Sequence, residues 1–173
     1  MLKKEKWKLQ FTMIALGQAV SMLGSHGVQF ALIWWLAEKT SSPLMLGISG
    51  LVAYLPMSLL SPLAGIMADR LNRKAISIVS DMGMGITAML YALLLSVFDL
   101  PVWTVFVMLC VRGIGSTFQQ PAIQSIIPQL VPKDQLIKTN GWMQLLSSGS
   151  FLIGPVIGAG FILALPYVHR FDE

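Results

Sequence analysis

The sequence predicts an all-α membrane protein with five transmembrane helices. Three observations support this fold class: 55% of the 173 residues are hydrophobic, only 12% are charged, and mean hydropathy is +0.71. A soluble domain carries about 25% charged residues. Several apolar runs exceed the roughly 18 residues that suggest a helix crossing a bilayer. The predicted spans are residues 11–36, 44–68, 75–97, 102–120 and 142–166.

The first span follows a segment with four lysines, Lys3, Lys4, Lys6 and Lys8. Such a start also resembles a signal peptide, but the apolar run is too long and lacks a small-residue cleavage site, which predicts an uncleaved span. Within the span, Gln18 and Gln29 recur at helical spacing, and His26 lies beside them. Polar residues at membrane depth usually face the bundle interior or a water-filled cavity. Lining of a cavity and hydrogen bonding between helices both stay open for the two glutamines, whereas packing is favoured for His26.

A short charged connection, GIMADRLNRK at residues 65–74, joins the second span to the third. An acid, Asp69, closes one helix, and two cations, Arg73 and Lys74, open the next. Both placements oppose the helix dipoles, because a helix C-terminus favours cations and an N-terminus favours anions. We therefore expect these charges to serve membrane topology or partners on other helices.

The third and fourth spans each contain one charged residue, Asp81 and Arg112. A lone charge at membrane depth is costly, and such residues tend to pair. Measured from the inner ends of the predicted spans, Asp81 lies about 9 Å deep and Arg112 about 12 Å deep. We therefore expect a buried ion pair between them. Ser116 and Gln119 share the helix face of Arg112, and residues 121–140 are predicted as a helix end and a polar loop.

The fifth span carries small residues at every fourth position, Ser150, Gly154 and Gly158. Such a stripe makes a flat face on which a neighbouring membrane helix packs closely. Pro155 removes one backbone donor and is expected to bend the helix. Ordinary close packing is one interpretation of this pattern, and a functional motif is the other.

Charge distribution predicts the orientation in the membrane. With the N-terminus inside, nine lysine and arginine residues fall on inner segments and two, Lys39 and Arg170, on outer segments. Cytoplasmic loops carry the excess of positive charge. The five tryptophans also fall at predicted span ends, as an aromatic belt requires. The N-terminus is therefore predicted in the cytoplasm and the end of the fifth span outside.

Three motifs resemble those of major facilitator superfamily transporters. Residues 65–74 resemble the loop G-x-x-x-D-R-x-G-R-R/K between the second and third spans, with Asn72 in place of glycine. Asparagine tolerates a left-handed backbone, so the turn is expected to survive. Arg112 with the glycines after it approximates the R-x-x-x-G pattern of the fourth span. Residues 141–159 are similar to the antiporter signature G-x8-G-x3-G-P-x2-G-G, with Ser150 and Ala159 in place of two glycines.

The opening at residues 17–21 (GQAVS), the loop with Asp69 and the run at residues 112–116 (RGIGS) together look most like bacterial macrolide-efflux-type drug:proton antiporters. This resemblance implies export of small, hydrophobic, drug-like molecules coupled to proton entry, in the lipid bilayer of the bacterial cytoplasmic membrane. It also implies a conformational latch, a coupling site, a substrate cavity and an antiporter-like motif. The latch is Gly65, Asp69, Arg70, Arg73 and Lys74; the coupling residues are Asp81 and Arg112; the cavity-lining residues are Gln18, His26, Gln29 and Ser116; the motif is Gly141, Ser150, Gly154, Pro155 and Gly158.

The chain departs from this family in length. The family has twelve spans in two six-helix halves, whereas five spans are predicted here, so we expect this chain to lack the sixth span and the second half. This leaves an alternative: a truncated remnant that does not transport, or an assembly partner for another membrane protein. No catalytic constellation, metal-ligand spacing or phosphate-binding loop is visible, so neither an enzyme nor a cofactor is expected. The basic residues are spread among loops that flank the membrane, so no nucleic acid is expected as a partner.

Overall fold

The computed structural model describes the backbone of residues 2–164 and the side chains of residues 7–68 and 70–160. This part of the chain folds into five long helices with no strand, which confirms the predicted fold class and the helix count. A 3-10 turn, Lys133–Gln135, precedes the last helix. The five helices are α1 Leu2–Thr40, α2 Pro43–Arg70, α3 Arg73–Val97, α4 Trp103–Leu130 and α5 Leu136–Ala164. The predicted end of the fifth span at residue 166 lies outside the described residues.

The connection between α2 and α3 is only two residues long. Asn72 has φ −69° and caps the N-terminus of α3, because its side-chain oxygen accepts hydrogen bonds from the backbone N–H of Lys74 (3.1 Å) and Ala75 (3.4 Å). The left-handed backbone expected at Asn72 is therefore not used. Among the described non-glycine residues only Ser41, between α1 and α2, has a positive φ. Asparagine suits the position as a helix cap, a role in which it ranks among the best residues.

The fourth helix runs ten residues further than predicted, to Leu130 instead of Gln120. Residues 121–140 were predicted as a helix end and a polar loop, but the connection is shorter than predicted, because α4 continues to Leu130 and α5 already begins at Leu136. Pro121 and Pro128 lie inside α4. Each removes one backbone donor, but membrane helices tolerate this where neighbouring groups satisfy the freed carbonyl. Burial of the apolar residues between them holds this part of α4 in place: Ala122, Ile123, Ile126 and Ile127.

The helices pack so that α4 lies between α2 and α3, while α1 packs mainly along α5. Four described helical segments are long and apolar enough to cross a membrane: residues 7–40, 43–68, 73–97 and 133–160. The fourth helix does not meet this criterion, because it contains Arg112 and four glutamines. It is also the helix with the most buried residues. Enclosure by its neighbours explains why α4 needs less apolar surface than a helix that faces lipid.

Two apolar clusters occupy opposite ends of the bundle. One joins the beginning of α1 to the end of α4 and to α5, around Ala15, Ile127 and Met143. The other joins the end of α1 to the beginning of α4, around Leu36 and Leu109. The level between the two clusters, where α1, α3 and α4 meet, contains the polar side chains. On the outside, large apolar side chains are exposed as a lipid-facing surface requires; they include Leu59, Val79 and Leu152.

Candidate functional site

A carboxylate on α3 is the centre of a polar cluster that joins three helices. Asp81 accepts hydrogen bonds from the Ser21 hydroxyl (2.6 Å) and the Gln18 amide (3.3 Å), both on α1. It also accepts a short hydrogen bond from the Gln119 amide on α4. The same Gln119 nitrogen lies 3.5 Å from Oε1 of Gln18 and donates to it. We call these four residues the Asp81 cluster; all three donors to its carboxylate are neutral.

Helix geometry explains why these residues meet. Gln18 and Ser21 are three residues apart, so they lie on one face of α1, one turn from each other. The side chain of Gln18 is only 7% exposed. Because α1 and α4 run in opposite directions, a later residue of α1 lies beside an earlier residue of α4. Two turns beyond Gln18 lies Ser25, and two turns before Gln119 lies Arg112, on the same faces.

Arg112 makes the second polar contact between α1 and α4. Its Nη2 donates to the backbone carbonyl of Ser25 at 2.7 Å, and the side chain is 7% exposed. Among the residues that the structure describes, no ion pair joins Arg112 to Asp81, so the predicted contact is not formed. The two charges instead belong to separate levels of the interface between α1 and α4.

The extension of α4 explains why the depth estimate failed. Arg73, at the start of α3, contacts Ser125 of α4, and this contact sets the register of the two helices. From that level, Asp81 lies about 12 Å along α3, Gln119 about 9 Å along α4, and Arg112 about 20 Å along α4. Gln119 is therefore the α4 residue within reach of Asp81. The prediction that α4 ends at Gln120 had placed Arg112 too close to the end of the bundle that contains the connection of α2 to α3.

The interface between α1 and α5 contains His26 and the small residues of the fifth span. His26 packs edge-on against Phe151, with ring centroids 5.5 Å apart and planes at 87°. A Cβ at Gly154 would collide with the Cβ of His26, and a Cβ at Gly158 would lie 2.5 Å from the carbonyl oxygen of Gly27. Ser150 is buried in the same helix. His26 is about 80° around α1 from Gln18, so it packs against α5 and lies outside the Asp81 cluster.

Two other glycines of the motifs do not mark close contacts. A Cβ at Gly65 or Gly141 would meet no described atom within 4 Å. Gly113 and Gly115, which follow Arg112, do mark close contacts. A Cβ at Gly113 would lie 2.5 Å from the Ala53 carbonyl oxygen, and a Cβ at Gly115 would lie 2.6 Å from the Met84 side chain. The glycines of α4 therefore allow α2 and α3 to approach, and those of α5 allow α1 to approach.

The charged connection between α2 and α3 ties three helices together. Arg73 donates from Nε to the carbonyl of Ala68 (3.1 Å), near the end of α2, and from Nη1 to the carbonyl of Ser125 (3.0 Å) in α4. A cation near the C-terminus of α2 interacts favourably with its dipole. The charge of Arg73 is therefore unfavourable at the N-terminus of α3 but favourable at the C-terminus of α2. Arg70 and Lys74 are exposed, and the side chain of Asp69 lies outside the described residues.

The remaining predicted residues lie outside these contacts. Ser116 is half-buried and donates to the sulfur of Met84 at 3.6 Å. Gln29 is half-buried, three turns beyond Gln18 along α1. Pro155 lies inside α5 without ending it. Within the described residues, no group of three or more histidine, cysteine, aspartate or glutamate side chains could hold a metal ion.

Besides Gln18, which was predicted to line a cavity or to join helices, two side chains and three backbone carbonyls were not predicted as partners of charged groups: Ser21, Gln119, and the carbonyls of Ser25, Ala68 and Ser125. Gln119 was noted only because it shares the helix face of Arg112. A backbone carbonyl carries no signal in the sequence. The signal for the other two was available, because Gln119 lies two turns from Arg112 and Ser21 one turn from Gln18.

Comparison with known proteins places the chain among transporters. The family model described as Major Facilitator Superfamily matches residues 14–168. Macrolide efflux protein A of Streptococcus pyogenes is 38% identical over 157 residues, which cover 91% of this chain and 39% of that protein. Macrolide efflux protein A of Enterococcus faecalis is 35% identical over 109 residues, covering 63% of this chain and 34% of that protein.

A more distant relative is the Staphyloferrin A transporter of Staphylococcus aureus, 29% identical over 144 residues, covering 83% of this chain and 36% of that protein. The chain thus spans about two fifths of the length of the first curated relatives it matches. No solved structure matches the chain significantly.

Proposed function

Because the chain belongs to the major facilitator superfamily, we propose that it is the N-terminal part of a secondary transporter that exports drug-like small molecules. The observation that carries this proposal is the 38% identity to a macrolide efflux protein over 91% of the chain. The family and the four long apolar helices make the chain a multi-pass membrane protein. In the proposed transporter, export of the drug is driven by the entry of protons.

The proposed substrate path lies between this bundle and the part of the transporter that the chain does not include. In secondary transporters the substrate site lies near the midplane between repeats, and the repeats rock about it. We assign Gln29 and Ser116 to the wall of this path, and Gln18, which is 7% exposed, to the contact of α1 with α3 and α4. Polar side chains at membrane depth, which usually face the bundle interior or a water-filled cavity, support that assignment. His26 is assigned to packing against α5.

The proposed latch is the connection of α2 to α3, with Gly65, Asp69, Arg70, Arg73 and Lys74. Support comes from Arg73, whose guanidinium donates hydrogen bonds both to the end of α2, at Ala68, and to the last turns of α4, at Ser125. A cleft of about 490 Å³ opens beside it, between this connection and the end of α4. Breakage of the Arg73 contacts would release the end of α2 from the last turns of α4 as the transporter changes conformation.

The proposed coupling residues are Asp81 and Arg112, one acid and one base at different levels of the same interface. Each contacts α1, Asp81 through side chains and Arg112 through the Ser25 carbonyl. A change of charge on either residue would therefore act on α1. The membrane is proposed to be the bacterial cytoplasmic membrane, with the N-terminus inside, as the positive-inside distribution favours.

The test is drug accumulation in a drug-sensitive bacterium. Cells that express the longer protein containing this chain should accumulate less of a labelled macrolide, and a protonophore should abolish the difference. Cells that express the chain alone should accumulate as much as empty cells, because alternating access needs two halves that move against each other.

A matched pair of variants tests the coupling assignment in the longer protein. Arg112→Gln should abolish the protonophore-sensitive export, whereas Lys133→Gln, at an exposed position of the turn before α5, should leave it intact. Unchanged accumulation in cells with the longer protein would contradict the exporter and favour a remnant that does not transport. Export by the chain alone would contradict the two-part mechanism.

A further inference from the structure

We propose that the Asp81 cluster is a proton-binding site in which the side-chain amide of Gln18 reverses when Asp81 takes up a proton. The site consists of the Asp81 carboxylate and the three neutral donors Gln18, Ser21 and Gln119. Its ligand is a proton, and Gln18 is a positioning residue that responds to the charge of Asp81. Use of this proton to drive export rests on the proposed function, but its binding does not.

Among the side chains that the structure describes, residues 7–68 and 70–160, Asp81 has no cation nearby. On α4 the only charged residue is Arg112, about 11 Å further along that helix than Gln119. Between residues 9 and 37, α1 has one titratable side chain, His26, which packs against α5. The charged residues of α2 are Asp69 and Arg70 in its last turn, and the other charged residues of α3 are Arg73 and Lys74 in its first turn.

A carboxylate at membrane depth without a paired cation is costly. Protonation removes that cost, because a neutral acid needs no counter-charge. The three neutral hydrogen bonds explain how the ionised form persists, since hydrogen bonds to a charged group are stronger than those between neutral groups. The cluster can therefore hold either form, which is the property that a site for reversible proton binding requires.

The pattern of donors selects the oxygen that takes the proton. Oδ1 accepts from both Ser21 and Gln119, whereas Oδ2 accepts only from Gln18. A proton from water that binds Oδ2 forms one O–H bond there, and no electrons are exchanged. The new O–H faces the N–H of Gln18, donor against donor. A half-turn of the Gln18 amide resolves the conflict, because its Oε1 then accepts from the protonated acid.

Reversal of the amide breaks a contact between helices. In the ionised form, Oε1 of Gln18 accepts from Nε2 of Gln119. After reversal, the amino group of Gln18 faces the amino group of Gln119, and this hydrogen bond is lost. Within the described part of α1 and α4 it is one of two side-chain hydrogen bonds between these helices, the other being that of Arg112 with the Ser25 carbonyl. A proton on α3 would thereby loosen α1 from α4 at the level of the cluster and leave the level of Arg112 intact.

Infrared difference spectroscopy of the purified chain in lipid nanodiscs tests this site without requiring transport. The chain is labelled with glutamine that carries ¹³C at the side-chain carbonyl, and spectra are compared between acidic and alkaline buffer. The chain has eight Asp and Glu residues, so the band of interest is the carboxylic-acid C=O component that differs in frequency from that of the exposed acids. We expect this component, called the acid band here, to grow at acidic pH together with a shift of one labelled amide band. Gln18→Leu should remove the amide shift and retain the acid band. Asp81→Asn should remove both changes, with the shifted amide band present at every pH.

Asp99→Asn, which removes an exposed acid in the connection between α3 and α4, is the matched control and should leave both bands unchanged. If Asp81→Asn does not fold, as judged by circular dichroism, Asp81→Glu should retain an acid band at a different frequency. An acid band that persists in Asp81→Asn, or one that grows without the amide shift in the unaltered chain, would overturn the proposal. So would an acid band that sodium ions suppress relative to potassium ions at equal pH.

These outcomes separate the site from the transport function. If the bands behave as expected while the longer protein fails to export a macrolide, the proton site stands and the exporter does not. If export is observed and the bands do not change with pH, the exporter stands and the proton site does not.

Discussion

At the residue scale, the charges of Asp81 and Arg112 are accommodated by different means. Asp81 is held by neutral side chains from two helices, and Arg112 by a backbone carbonyl. Neither charge has the other as its partner, and each is stabilised separately by hydrogen bonds, which are stronger when one of the two groups is charged. The carboxylate of Asp81 and the guanidinium of Arg112 therefore lie at membrane depth with different hydrogen-bond partners.

Because the two charges do not touch, their effects on stability should be nearly additive. In a double-mutant cycle with Asp81→Asn and Arg112→Gln, we expect a coupling free energy below about 0.5 kcal/mol, which is typical of sites without shared partners. The cycle with Asp81→Asn and Gln119→Leu should give a coupling between about 0.5 and 3 kcal/mol, as for residues in one hydrogen-bond network. Thermal unfolding in detergent micelles measures both, and a larger coupling for the first pair would contradict the separation.

Residue types in the sequence predicted that polar groups would meet within the bundle, but not which groups. Asp81 and Arg112 were recognised because charge at membrane depth is rare. Their pairing was wrong because it depended on where α4 ends, and prolines at positions 121 and 128 suggested an earlier end than the structure has. A hydrogen-bonded partner such as Gln119 depends on the register of two helices to within one turn. That register is set by long-range packing and not by local sequence.

At the element scale, glycines decide which helices approach closely. The stripe on α5 was predicted to form a flat packing face, and α1 lies against it through Gly27, with Gly154 and Gly158 opposite. A stripe of small residues identifies the face of its own helix but not the helix that covers it. Only the structure identifies the partner, since α1 packs against α5 more extensively than against any other helix.

Gly158→Ala should weaken the contact between α1 and α5. The added Cβ would lie 2.5 Å from the Gly27 carbonyl oxygen, so the backbones must separate. Overpacking of this kind costs about 1–3 kcal/mol. Gly160→Ala in the same helix is the control, since its Cβ would meet no described atom within 4 Å. Thermal unfolding in detergent should show a lower midpoint only for Gly158→Ala; equal midpoints would mean that this contact is not close.

Arg73→Gln should destabilise the junction of α2, α3 and α4. The substitution removes hydrogen bonds from a charged group to the carbonyls of Ala68 and Ser125, and each such bond contributes about 1.5–3 kcal/mol. Lys74→Gln removes the adjacent charge at an exposed position and should have little effect. Hydrogen exchange at the end of α2 and in the last turns of α4 should increase only for Arg73→Gln. Equal exchange in both variants would exclude Arg73 as the link.

At the scale of the whole molecule, the bundle has two kinds of surface. Most exposed side chains of α2, α3 and α5 are large and apolar, as contact with lipid requires. The level that contains the Asp81 cluster and Arg112 is enclosed where α1, α3 and α4 meet. Sequence composition predicted the first kind of surface, because every lipid-facing helix must be apolar. The enclosed helix α4 needs fewer apolar residues, so composition alone does not identify it as a membrane-spanning helix.

Orientation of the bundle in the membrane is the prediction that ties these scales together. The count of nine inner against two outer lysines and arginines favours a cytoplasmic N-terminus, and successive helices then place residue 72 inside and residue 99 outside. Introduced single cysteines at these two positions, in a chain with Cys110→Ser, should react differently with a membrane-impermeant maleimide added to intact cells. The cysteine at position 99 should be labelled and that at position 72 protected until the cells are opened. The reverse pattern would place Arg73 and the connection of α2 to α3 on the outer surface, where the excess of positive charge is disfavoured.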